Sequence, residues 1–120
     1  YSPGFYRENN AWMEHRREVL RPVFGNPDFV NSMIRLTNSA ADYAVTDQFH
    51  TIQAPTLVVS CQEDYLTPME EQQLIASRIP NSHYVVIPKC GHASMYEMPV
   101  LFTALTLGFF NNTKVKFDIV

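Results

Sequence analysis

The sequence predicts an α/β fold, with two parallel strands joined through a helix, and three observations carry that expectation. Two short runs, 56–60 and 84–87, are rich in β-branched residues and apolar on both faces, as strands of a parallel sheet covered on both sides are. Between them lies one amphipathic segment of helical length, opened by Thr67-Pro68-Met69-Glu70. Before residue 49 the apolar residues follow helical spacing only. Strand, helix, strand at this separation is a βαβ unit whose crossover is right-handed in nearly all cases, so both strands end on the same edge.

Taken in order, residues 1–10 contain Pro3, Gly4 and two asparagines and read as a loop, with Asn9 or Asn10 as a candidate N-cap. Residues 11–20 set Trp12, Met13, Val19 and Leu20 against a charged face and predict a helix that Pro22 ends. Gly25-Asn26-Pro27-Asp28 breaks the chain before a second helix over 28–37, which carries Phe29, Val30, Met33, Ile34 and Leu36. A third short helix is expected over 39–48. After the strand from Pro55, a helix runs from the Thr67 capping box to about residue 79, and Pro80-Asn81-Ser82 stops it. Beyond Pro99 the apolar segment to residue 110 predicts a last helix. Residues 113–120 alternate Val115, Phe117 and Ile119 with Lys114, Lys116 and Asp118, the pattern of a half-buried edge strand.

Composition narrows the function. With 46% hydrophobic residues, the chain has enough apolar material for a globular core. A net charge of −3 and scattered Lys and Arg give no basic face for a phosphate backbone, so nucleic acid is not an expected partner. No apolar run reaches the roughly 20 residues a membrane span needs, and residues 1–10 lack a signal-peptide pattern. A soluble, cytoplasmic protein is expected. Residue 1 is Tyr, and the opening reads as the middle of something, so the chain is expected to be a piece of a larger protein.

Each strand ends in a polar turn with one residue able to move or orient a proton, Asp64 after the first and His92 after the second. Neighbouring parallel strands lie about 5 Å apart, so the two side chains can meet. A histidine that takes a proton from a hydroxyl needs its other ring nitrogen held by an acceptor, and a carboxylate also stabilises the imidazolium. Gly91 gives the backbone room for a close turn before the His. The other histidines, His15, His50 and His83, read as surface or packing residues.

Ile52-x-x-Pro55-Thr56-Leu57-Val58-Val59, Glu63-Asp64-x-x-Thr67-Pro68, Ile79-Pro80-Asn81-Ser82, Gly91-His92 and Glu97-x-Pro99, in that order and spacing, resemble the C-terminal half of the α/β-hydrolase family. The resemblance covers about residues 47–110. It implies residues 1–48 as a helical cap segment, 49–112 as the C-terminal half of the hydrolase core, and 113–120 as a terminal strand or tail. It implies triad roles for the acid Asp64 and the base His92. Trp12, Met13, Phe29, Met33 and Met95 are candidates to line a substrate pocket under the cap, although residues at helical spacing are more often just core. The family's Gly-x-Ser-x-Gly nucleophile elbow lies upstream of the cap. None of the seven serines here, Ser2, Ser32, Ser39, Ser60, Ser77, Ser82 and Ser94, sits in such a setting. In the first strand's turn, Ser60 or Cys61 stands where the family usually has Gly.

The expected function is therefore that of a fragment of a serine-type hydrolase acting on an ester, thioester, lactone or activated C–C bond, inactive until a nucleophile is supplied. The alternative is a non-catalytic ligand-binding or interaction protein with a hydrolase-like fold, and an elbow encoded upstream of Tyr1 would decide between them. Expected partners are a small-molecule substrate and, through the open sheet edge, a complementing N-terminal half or a second copy; the alternative is that residues 113–120 close that edge themselves. Cys61 and Cys90 follow corresponding strand ends and, with Asp64 and His92, make a donor set of the kind zinc takes. Their spacing is wider than Cys-x-x-Cys, so no metal or other cofactor is expected, and a disulfide or two buried thiols both remain open.

Overall fold

The computed structural model describes residues 1–111. Three helices come first, α1 (Pro3–Glu8), α2 (Asn10–Phe24) and α3 (Pro27–Ser39), followed by a 3₁₀ turn, Thr46–Thr51. Then come β1 (Thr56–Cys61), α4 (Met69–Arg78), β2 (Ser82–Ile87), the single turn α5 (Ser94–Glu97) and α6 (Pro99–Asn111). The two strands pair in parallel from Thr56↔Ser82 to Cys61↔Ile87, as the βαβ reading requires. The expected strand over 113–120 lies outside the described residues.

Where the elements differ from expectation, local hydrogen bonding accounts for it. Residues 1–10 are not a loop: the Ser2 hydroxyl accepts the Phe5 N–H at 3.2 Å, and Pro3 opens α1 where its missing N–H costs nothing. Asn9 precedes α2, but its amide side chain donates back to the Phe5 carbonyl instead of capping. Pro22 does not end α2, which runs through it to Phe24 and stops at Gly25. A proline this close to the C-terminus removes one bond, to the carbonyl of Glu18 on an exposed face. The third helix over 39–48 does not form. The Ser39 hydroxyl instead donates to the Leu36 carbonyl, and the chain turns before the 3₁₀ segment.

The core sits at the carboxyl ends of the strands. Cys61, Ile87 and Cys90 form a buried cluster, with Val59, Met98 and Leu105 packed around it. Val58 and Ile79 are also buried apolar residues. Ser2, Ser60 and Ser94 are the buried polar residues among those described, and the Ser60 hydroxyl accepts the Tyr84 hydroxyl at 2.9 Å from the neighbouring strand. The helices α2 and α3 have no buried residues, and Met33, Ile34 and Leu36 stand open on α3. Among the described residues, no helix is long and apolar enough to cross a membrane.

Ile87 is fully buried and caps the cluster that anchors both strand ends. Ile87→Ala is expected to destabilise the fold by about 3 kcal/mol, measured as the shift in urea unfolding at constant slope.

Candidate active site

The turns after β1 and β2 leave the sheet side by side. The Glu63 N–H donates to the Cys90 carbonyl at 2.8 Å and the Lys89 N–H to the Gln62 side-chain carbonyl at 3.1 Å, so each turn is laced to the other. Lys89 takes a left-handed φ of 54° to make that bend. Across this pair of turns the Asp64 Oδ2 lies 3.0 Å from the His92 Nδ1. A carboxylate at that nitrogen makes Nδ1 the donor and leaves Nε2 free to accept a proton from elsewhere.

Asp64 is the more deeply held of the two, 8% exposed against 50% for the His92 side chain. Its Oδ1 accepts the Leu66 and Thr67 amides at 2.9 and 3.1 Å, and its Oδ2 accepts the Thr67 hydroxyl at 2.7 Å. Burial pushes the Asp64 carboxyl upward, but the Thr67 amide and hydroxyl, the His92 ring and the Leu66 amide together outweigh it. The group is held at about 2, against an ordinary 3.8. At neutral pH it is a carboxylate in a fixed orientation. Thr67 therefore does not close the expected capping box; its hydroxyl is committed to Asp64, and α4 begins without a side-chain cap.

A hollow of about 440 Å³ opens beside the pair, lined by Tyr1, Glu63, Asp64, Tyr65, Leu66, His92 and Ala93. None of the five residues expected to line a pocket under a cap lines this hollow itself. Trp12 packs in an aromatic cluster with Tyr1, Phe5 and Tyr96, while Phe29 and Met33 line an apolar hollow on α3 together with Phe24. Met13 is half-buried on α2, and Met95 is exposed on α5. Tyr65 and Leu66, which line the hollow at the pair, carried no signal in the sequence beyond their place after Asp64. Thr67 carried one, because Asp-x-x-Thr is a spacing at which a turn carboxylate meets a hydroxyl and an amide. Cys61 and Cys90 are free thiols, both buried, so they are not joined as a disulfide. Burial and the neighbouring Cys61 thiol push Cys90 up to about 12. Among the described residues, no group of three or more His, Cys, Asp or Glu side chains is arranged to hold a metal.

The family described as TAP-like protein matches residues 30–113, well over half of the sequence. The chain belongs to the α/β-hydrolase family. A crystal structure of MGS-M2, described as an α/β-hydrolase enzyme from a Medee basin deep-sea metagenome library, is 50% identical and superposes with a TM-score of 0.89. It covers 98% of this chain and 43% of its own. Est816, described as an N-acyl homoserine lactone degrading enzyme, is 31% identical with a TM-score of 0.70, over 90% of this chain and 42% of its own. A Pseudomonas putida protein named 2-hydroxy-6-oxononadienedioate/2-hydroxy-6-oxononatrienedioate hydrolase 2 is 33% identical over 82 residues. That match takes in 68% of this chain and 28% of the relative. This α/β-hydrolase chain thus spans less than half the length of these proteins, and the parallel strand pair flanked by helices among its described residues fits a C-terminal part of their fold.

The bonds that lower the Asp64 value also set a pH dependence. A carboxyl depressed when folded contributes stability above its ordinary value of 3.8, and that contribution is lost as pH falls toward 2. Thr67→Val, which replaces the hydroxyl by a methyl group, is expected to raise the Asp64 value and move acid unfolding to higher pH. Titration of the Asp64 carboxyl carbon by NMR alongside acid unfolding checks both.

Proposed function

We propose that this chain carries the base and the acid of a serine-type hydrolase, His92 and Asp64, and works with a nucleophile supplied from outside residues 1–120. The observation that carries the reading is the 3.0 Å contact between His92 Nδ1 and Asp64 Oδ2 beyond adjacent parallel strands. In that arrangement His92 Nε2 takes the proton of the nucleophile's hydroxyl as it attacks, Asp64 stabilises the imidazolium, and the same proton passes to the leaving group. The half-exposed ring leaves Nε2 accessible to a partner group. No serine of the chain lies in a Gly-x-Ser-x-Gly setting, which is why the chain by itself is expected to be inactive.

The substrate class we propose is a small molecule with an ester, thioester, lactone or activated C–C bond. The relatives' names, a lactone-degrading enzyme and a hydrolase of an oxononadienedioate, support it. The helical residues 1–48 are proposed as cap, and the outer edge of β1 as the place where strands of the complementing half pair.

In the catalytically complete protein, this chain joined to a segment with the nucleophile elbow, His92→Ala is expected to lower turnover of a short-chain aryl ester by about 10³-fold or more. Full activity in that variant would remove His92 from the role. Sedimentation at high concentration is expected to find the isolated chain associated through its open edge; a well-folded, strictly monomeric chain would contradict the pairing.

A further inference from the structure

A second carboxylate is buried close to the pair without touching either member. Glu97 ends α5, and its side chain is 1% exposed. Its Oε1 and Oε2 accept the Ser2 N–H at 3.1 and 3.0 Å, and Oε2 also accepts the Gly91 N–H at 3.0 Å. Gly91 immediately precedes His92, and Ser2 is the cap of α1, so one carboxylate joins the turn that carries the imidazole to the first residues of the helical segment.

The junction is closed sterically as well. A Cβ at Gly91 would collide with the Ser2 nitrogen, lie 2.6 Å from the Tyr1 carbonyl carbon and lie 2.8 Å from Glu97 Oε1. Gly91 does not have a positive φ, so its need for glycine is one of space. Beside it, Tyr96 packs against Tyr1 and Trp12 with ring centres 6.4 and 6.2 Å apart. The Arg16 guanidinium lies 5.4 Å from the Trp12 ring and 5.3 Å from the Tyr96 ring.

A buried carboxylate is costly unless its oxygens are satisfied, and here they are satisfied by two backbone amides from segments some 90 positions apart in sequence. Burial pushes Glu97 upward, yet its contacts with Ser2 and Gly91, together with the Tyr1 amino group 4.0 Å from Oε1, outweigh that and hold it below its ordinary value. We propose that Glu97 is a positioning residue for His92: by tying the Gly91 amide to the Ser2 amide it sets where the backbone presents the imidazole, and it couples that position to the helical segment. The kinetic consequence rests on the hydrolase reading above, whereas the geometric one does not.

Glu97→Gln keeps the shape but replaces one acceptor by an amide donor facing a backbone N–H. In the catalytically complete protein, kcat for the aryl ester is expected to fall about 10- to 100-fold with little change in KM, the loss typical of a displaced catalytic group. The long-range ¹H–¹⁵N spectrum of His92 is expected to move from the Nδ1–H form toward a mixture of tautomers. In the unaltered protein the Gly91 and Ser2 amides are expected to exchange slowly with solvent. Wild-type kcat in Glu97→Gln with an unchanged His92 spectrum would overturn the proposal, as would unprotected exchange at both amides in the unaltered protein, a readout that survives if the variant does not fold. Absence of turnover in the unaltered complete protein would instead reject the hydrolase reading, and the His92 spectrum would still decide the role of Glu97.

Discussion

Six residue pairs between β1 and β2 set where every polar group of the site can be. Because the pairing is parallel and ends at Cys61↔Ile87, both strands release their chains at one edge and at one height. A shift of one residue would turn the side chains of the slipped strand to its other face, taking Val58 or Ile87 out of the core, and would carry the two turns out of contact. The contact between Asp64 and His92 is thus a product of the sheet, secured by the buried cluster immediately beneath the turns.

The site treats its two carboxylates alike and uses them for different ends. Asp64 and Glu97 are both nearly closed to solvent, and each is held by backbone amides at distances of 2.9–3.1 Å. Amide donors fix a carboxylate's direction without adding a cation, so the negative charge of Asp64 stays available to the ring beside it. The exposed imidazole is the least restrained member, and it gains its direction from Asp64 on one side and from its own backbone on the other.

Much of this was legible in the sequence, and the exceptions have a common cause. The strands, their direction and the meeting of Asp64 with His92 follow from apolar periodicity and the length of the crossover, which are local signals read against a strong topological rule. The extents of α1, α2 and the segment after Ser39 were not legible, because Ser2, Asn9, Pro22 and Ser39 each have two competing uses that only their surroundings decide. Thr67 is the sharpest example: Thr-Pro-x-Glu has the form of a helix cap, yet a carboxylate three residues earlier takes its hydroxyl. Glu97 was visible as part of a motif, but its partners, Ser2 and Gly91, are set by tertiary approach and not by spacing.

The two free thiols give the molecule an internal gauge of its own opening. Cys61 and Cys90 are the chain's only cysteines, and both lie beneath the turns that carry Asp64 and His92. Cys90 is fully buried and pushed up to about 12, so an alkylating reagent meets neither an accessible sulfur nor a thiolate while the strand ends are closed. Its labelling rate at neutral pH therefore follows the fraction of time that the strand ends separate, and reports the local stability of the segment that holds the site without any introduced probe.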